Sequence, residues 1–180
     1  AERLGDESIL AGLRLTTDAI TRIMQPGGLA EPGPIEAATP SGTTAIPVVH
    51  IELMALAGDW VGLARFADSM ATRRAGWSSH PGGVIWRYYE SLARLKTGQP
   101  MRRGDLAYLK RAARLNPTDH GWRLPVLRAE SLRQQGRTQA SLAVWSAALE
   151  TLRTCGSRLD AGVAAECAAA AARALGEEAA

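Results

Sequence analysis

Apolar residues recur at helical spacing along most of the 180-residue chain, and clusters of glycine and proline interrupt them. This pattern predicts helices over 6–24, 47–57, 60–73, 84–97, 104–115, 120–135, 138–154 and 160–175. Single glycines at the short breaks, Gly58, Gly98 and Gly136, predict tight turns between antiparallel helices. Because proline is tolerated only in the first turn of a straight helix, Pro125 places the start of the 120–135 helix late, near 122–124.

Composition narrows the fold class. Alanine, leucine and arginine dominate, whereas valine and isoleucine are too sparse for a large sheet. The sequence therefore predicts an all-α protein. A chain of this length buries a sizeable core without the help of disulfides or metals.

The stretch 25–46 shows no apolar period and contains four prolines and four glycines. Two interpretations stay open. The stretch is a linker that leaves the first helix as a movable arm, or it is an ordered loop held on the core through Leu29, Ile35 and Ile46. We divide the chain into 1–46, the N-terminal helix with its Pro/Gly-rich loop, and 47–180, the helical domain.

Small and large apolar residues recur at a period of 36 within the stretch 86–155. The pairs are Ala93 and Ala129, Leu109 and Trp145, and Ala112 and Ala148. Such a period is typical of stacked helix pairs. With Pro117 ending the first unit and Gly136 inside the second, this stretch resembles two tetratricopeptide repeats, and 47–73 resembles a degenerate third copy.

Three features depart from that family's pattern. Pro125 stands where an aromatic residue usually opens the second copy, and Asp105 and Ser141 replace an alanine early in the second helices. The period of 36 exceeds the usual value of about 34. The resemblance implies stacked antiparallel helix pairs, an α-solenoid whose first helices line a groove for peptides or partner subunits. On that basis we interpret the chain as a non-enzymatic protein-interaction scaffold or assembly factor.

In the tetratricopeptide register, several positions of the first helices face the groove. They are Arg87, Glu90 and Arg94 in one copy, and Arg123, Val126, Glu130 and Arg133 in the next. Because the arginine fork pairs well with carboxylates, we expect the groove to bind an acidic segment or a free C-terminus of a partner protein. The alternative is that these residues form the solvated face of amphipathic helices. Trp77, in a Gly-rich break, is the best aromatic candidate for a further partner contact.

Signatures of catalysis are missing from the sequence. The histidines are His50, His80 and His120, and they form no triad, because the serines beside His80 are its direct neighbours in sequence. No phosphate-binding loop, zinc-ligand spacing or calcium loop occurs, so we expect no cofactor and no metal. The alternative function is an enzyme or small-ligand-binding domain with a pocket under the 25–46 loop.

The formal net charge of +3 indicates a mildly basic surface. The sequence contains no run of basic residues with interleaved aromatics, so it does not predict nucleic-acid binding. No stretch approaches the roughly 20 apolar residues that a membrane span needs. The two cysteines, Cys155 and Cys167, form either a bridge between neighbouring helices or two thiols. A bridge favours an oxidising compartment such as a bacterial periplasm, and two thiols leave cytoplasm and periplasm open. The oligomeric state stays open as well.

Overall fold

A computed structural model gives the fold, and it describes residues 45–72, 74–77, 82–155 and 158–178. The predicted helix over 6–24 and all but the end of the 25–46 loop lie outside these ranges. Every regular element within them is a helix, which confirms the all-α prediction.

The helices follow the predicted order, with ends shifted by a few residues. The first set comprises α1 Ala45–Leu56, α2 Trp60–Ser69, a 3₁₀ helix Arg74–Trp77 and α3 Gly82–Lys96. The second set comprises α4 Asp105–Leu115, α5 Pro117–His120, α6 Arg123–Gln134, α7 Thr138–Cys155 and α8 Arg158–Glu178. Pro125 lies in the first turn of α6, where its missing N–H costs no hydrogen bond, as the sequence predicted.

The one-turn helix α5 is an element that the sequence did not predict. Pro117 does follow the end of α4, but it also occupies the first position of a new turn, where its fixed backbone angle is suitable. The side chain of Asn116 caps this turn by accepting a hydrogen bond from the backbone N–H of Asp119 at 3.2 Å. A proline that ends one helix therefore also begins the next.

The chain divides into two compact units, Ala1–Tyr89 and Glu90–Ala180, and the division falls within α3. In the described part of the first unit, α1 and α2 pack as a hairpin. Its core includes Phe66, whose ring contacts His50 at 4.7 Å and Trp86 at 5.8 Å between centroids. Trp77 packs edge-on against Trp86, with 4.8 Å between ring centroids. An aromatic cluster thus lies in the interior of the described part of this unit.

In the second unit, α6 packs on α7, α7 packs on α8, and α4 packs on α6. Its fully buried residues include the large side chains of Leu109, Leu127 and Trp145. Ser141 is also fully buried, and its hydroxyl donates to the carbonyl of Ala129 at 2.7 Å. The polar departure from the repeat pattern at this position is therefore satisfied by a hydrogen bond between α6 and α7.

The turn between α6 and α7 explains why these helices form a hairpin. Gly136 has a φ of 72°, in the left-handed region that residues with a Cβ atom adopt only at a cost. The N–H of Gly136 donates to the carbonyl of Arg133, and the N–H of Arg137 donates to that of Leu132, both at 2.9 Å. This pattern closes a helix end and reverses the chain within three residues. The predicted turns at Gly58 and Gly98 have the same positive φ, 72° and 77°.

Candidate functional site

The residues predicted to line a charged groove hold internal contacts instead. Glu130 is fully buried, and its carboxylate lies 2.6 Å from the guanidinium of Arg133 and 3.5 Å from the ammonium of Lys96. Lys96 itself is 9% exposed in its side chain. Because the Glu130 carboxylate is out of water, these two cations supply the stabilisation that hydration gives an exposed carboxylate.

A second carboxylate is buried in the same way. Glu90 is 1% exposed and forms an ion pair with Arg102, which lies in the segment between α3 and α4. Arg94 donates from Nε to the backbone carbonyl of Pro100 at 2.9 Å, so it holds the same segment. Both residues are thus engaged in fixing the turn that joins two helices.

Arg123 is also withdrawn from the surface. It is 6% exposed, its guanidinium donates to the carbonyl of Asp119, and it lies 2.8 Å from Nδ1 of His120. The guanidinium also lies over the ring of Trp122, 4.3 Å from the centroid, in a cation–π contact. Arg123, the first residue of α6, is thus fixed by the ring of Trp122 and the carbonyl of Asp119.

The remaining predicted groove residues are also buried or half-buried. Val126 is fully buried, and Arg87 is half-buried. Trp77 is 7% exposed, so the exposed aromatic contact expected from its place in a Gly-rich break is not present. The reason is local: a 3₁₀ turn directs its ring onto Trp86, and burying so large an apolar ring is favourable. Within the second unit, the predicted charged residues Glu90, Arg94, Arg123, Glu130 and Arg133 all contact other residues of that unit.

An open groove lies elsewhere, between α4, α6 and α7. Its volume is about 810 Å³, and its floor includes the buried side chains of Leu127 and Leu132. Leu106 of α4 lines it while 38% exposed, and the exposed Ala143 and Ala147 of α7 line the opposite side. The groove stays open because these two alanines, one helical turn apart, put little bulk into it. The volume lies in the range of known ligand and peptide sites.

The charge of this groove has one sign. Lys110 of α4 and Arg128 of α6 line it, both are exposed, and no acidic residue lines it. Among the described residues neither cation has an ion-pair partner. The polar groups of Ser131 and Gln135 complete the lining of this mostly apolar groove. None of the residues predicted for the charged groove lines it.

Sequence reasoning missed this groove, although part of its signal was visible. Some of the lining residues on α6 and at its C-cap repeat at three and four residues and mix apolar with polar types: Leu124, Arg128, Ser131 and Gln135. Such a helix face is usually predicted to be exposed to solvent. The alanine pair of α7 carries no signal alone, because its effect depends on how far α4 lies from α7.

Two histidines, His50 and His120, lie within the described part of the chain. Burial lowers the pKa of His50, and its two ring nitrogens lack hydrogen-bond partners, so the ring packs as a neutral group. Burial, followed by the neighbouring Arg123, lowers the pKa of His120. Over the same residues no group of three or more metal-ligating side chains occurs.

The two cysteines are thiols, which decides between the two alternatives left by the sequence. Cys155 is half-buried and Cys167 is 2% exposed. Burial raises the pKa of the Cys167 thiol, although the nearby Lys96 acts in the opposite direction. A neutral, buried thiol is a poor nucleophile, so Cys167 serves packing beside the Glu130 ion cluster.

None of the described helices is long and apolar enough to cross a bilayer. Comparisons of the chain with protein-family models, with curated proteins and with solved structures found no match. The described part of the chain is thus all-helical, with an apolar groove among three helices and, at that groove, two cations without ion-pair partners in the described residues. The alternative pocket, under the 25–46 loop, lies outside the described residues.

Proposed function

We propose that this protein is a non-enzymatic interaction scaffold that binds a segment of a partner protein in the groove between α4, α6 and α7. The observation that carries this proposal is the groove itself, open to solvent and lined mainly by apolar side chains. Exposed apolar surface in a concave site is unfavourable for a lone protein and is typical of a docking site.

The 36-residue period, on which the resemblance to tetratricopeptide repeats rests, is a further support for this proposal. Ala93 and Ala129 are both fully buried, and so are Leu109 and Trp145 at 2% and 1% exposure. Residues that share a place in the 36-residue period therefore share a place in the core. Ala112 departs from this pattern, because it is half-buried where Ala148 is fully buried. Proteins built from stacked helix pairs commonly act as binding surfaces.

This docking site lies on a different surface from the one that the sequence predicted. The sequence placed it on the first helices of the repeats, whereas Glu130 and Arg133 of that surface neutralise each other. The groove on the other side of α6 offers apolar area and unpaired charge together, which is what a partner segment needs for affinity and orientation.

A pair of tryptophan substitutions tests the groove. Ala147→Trp fills the groove from an exposed position, and Ser146→Trp adds the same bulk to the same helix at an exposed residue outside the lining. Partners captured from native extract with each variant are identified, and the binding of each purified partner is then measured by calorimetry. We expect partners that bind the wild type and Ser146→Trp but not Ala147→Trp. Equal affinity of every partner for both variants would exclude the groove.

A further inference from the structure

Resting on the proposed function and deepening it, we infer that the groove binds an acidic amphipathic helix of about three turns. Four features lead to this occupant: the length of the groove, the residue types along it, the small residues on one wall, and the sign of its charge.

The length of the groove sets the length of the segment. Along α6 the lining extends from Leu124 to Gln135. At about 1.5 Å per residue, these eleven steps correspond to about 16 Å, the length of about three helical turns. A segment of this size buries enough apolar surface for a weak, reversible complex.

The lining selects a helix among the known modes of peptide binding. A peptide that binds by strand addition needs an exposed strand edge, and every regular element of the described residues is a helix. A polyproline segment needs a groove lined by aromatic rings, and no aromatic residue lines this one. Leucine, valine and alanine side chains suit an apolar helical stripe that repeats at three and four residues.

The wall formed by α7 supports the same choice. Ala143 and Ala147 are exposed, small and one turn apart, so the backbone of a bound helix approaches α7 closely there. Leu106 and Leu127 then contact the apolar stripe of the bound helix from the other side and from below. A helix in this position becomes a fourth member of a local bundle.

Charge sets the chemistry of the bound helix. Lys110 on α4 and Arg128 on α6 both line the groove, and neither has an ion-pair partner among the described residues. With no acidic residue in the lining, a basic segment gains nothing there and is repelled. Glutamate or aspartate beside the apolar stripe pairs with both cations, which steers the partner and fixes its orientation.

Selection from a randomised peptide library tests this inference. Peptides of about 12 residues, displayed on phage, are selected on the wild-type full chain and depleted on the Ala147→Trp variant. We expect the selected peptides to combine an apolar stripe at helical spacing with an excess of acidic residues. An excess of basic residues, or none of either sign, overturns the acidic partner while leaving the groove as a docking site. Selected peptides that bind Ala147→Trp as well as the wild type overturn the proposed function itself.

A charge-swap measurement on the best selected peptide provides the second arm. The double variant Lys110→Glu with Arg128→Glu should bind that peptide about tenfold more weakly, because two attractions become two repulsions. When glutamines replace the acidic residues of the peptide, the double variant and the wild type should bind the peptide with equal affinity. The control, Arg111→Glu with Arg137→Glu, makes the same change in net charge at exposed residues outside the lining. An equal loss in the control, or no loss in the double variant, overturns the role of the two cations.

Two other occupants are distinguished by separate outcomes. If the wild type dimerises in sedimentation experiments and Ala147→Trp is monomeric, the groove holds a second copy of this chain and the inference is wrong. If a long-chain fatty acid protects the wild type from heat and displaces no selected peptide, the inference stands. If the fatty acid displaces every peptide and no peptide depends on its acidic residues, the inference is overturned.

Discussion

Trp145 provides a direct test of the core of the second unit. It is 1% exposed, so Trp145→Ala removes nearly its whole side chain from a packed interior. A buried tryptophan covers roughly 150–250 Å², which at about 25 cal/mol per Å² corresponds to about 4–6 kcal/mol. Partial collapse of the neighbours reduces this value, and we expect a loss of about 3–5 kcal/mol in the free energy of unfolding.

The indole nitrogen of Trp145 adds a sharper comparison. Its Nε1 is buried and has no hydrogen-bond partner, so the N–H contributes a desolvation penalty without a bond in return. Trp145→Phe therefore loses ring area but also removes a penalty of about 1–3 kcal/mol. We expect Trp145→Phe to change the unfolding free energy by less than about 1.5 kcal/mol, a fraction of the alanine loss.

Urea denaturation followed by far-ultraviolet circular dichroism measures both variants, because tryptophan fluorescence itself changes with the substitution. The slope of free energy against urea concentration checks that the same surface is exposed in each. An alanine loss below about 1 kcal/mol would mean that Trp145 lies at the surface and that the repeat register is wrong. A phenylalanine loss equal to the alanine loss would mean that the indole N–H has a partner.

Three further predictions concern single groups. Glu130→Gln removes the buried charge that pairs with Lys96 and Arg133 and should cost about 3 kcal/mol or more in urea denaturation. The exposed Glu150→Gln should cost less than about 0.5 kcal/mol. The pKa of His50 is lowered on folding, so the contribution of this residue to stability is present above its ordinary pKa and is lost as pH falls through the lowered pKa. In urea melts, the free energy of unfolding of His50→Leu should therefore decrease less than that of the wild type between neutral pH and a pH of about 5. Maleimide should label Cys155 in the native protein and Cys167 only after unfolding, and equal native labelling would contradict the burial of Cys167.

Local features of the fold follow closely from the sequence because they depend on residues near one another in the chain. Gly136 ends a helix since glycine adopts a positive φ readily, and Pro125 fixes the start of α6 through its missing N–H. Trp145 was predicted as a core residue from its place in an apolar period, and it is buried. In each case the physical cause operates within one or two helical turns.

The charged site was predictable only in part, because its partners are distant in sequence. Lys96 and Glu130 are 34 residues apart, and Arg102 reaches Glu90 from a segment without regular structure. A helical period shows that Glu130 lies off the apolar stripe, but it does not show whether another element covers that face. Burial of these carboxylates is tolerated because cations on neighbouring elements offset the cost of their desolvation.

The two faces of α6 make a final prediction possible. At about 100° per residue, Arg123, Val126, Glu130 and Arg133 centre on one side of the helix, and the groove residues Leu124, Arg128, Ser131 and Gln135 centre roughly 140–160° away. One face is occupied by internal ion pairs and packing, and the other is open to a partner.

Substitutions on the two faces should therefore affect stability and peptide binding independently. Arg133→Gln should lower the urea midpoint while the variant, still folded at low urea, binds selected peptides with unchanged affinity. Arg128→Gln should weaken those peptides and leave the midpoint within error, because its side chain is exposed and has no ion-pair partner in the described residues. If Arg133→Gln weakens the peptides as strongly as Arg128→Gln does, the peptide contacts the face that the sequence first indicated, and the groove between α4, α6 and α7 is not the docking site.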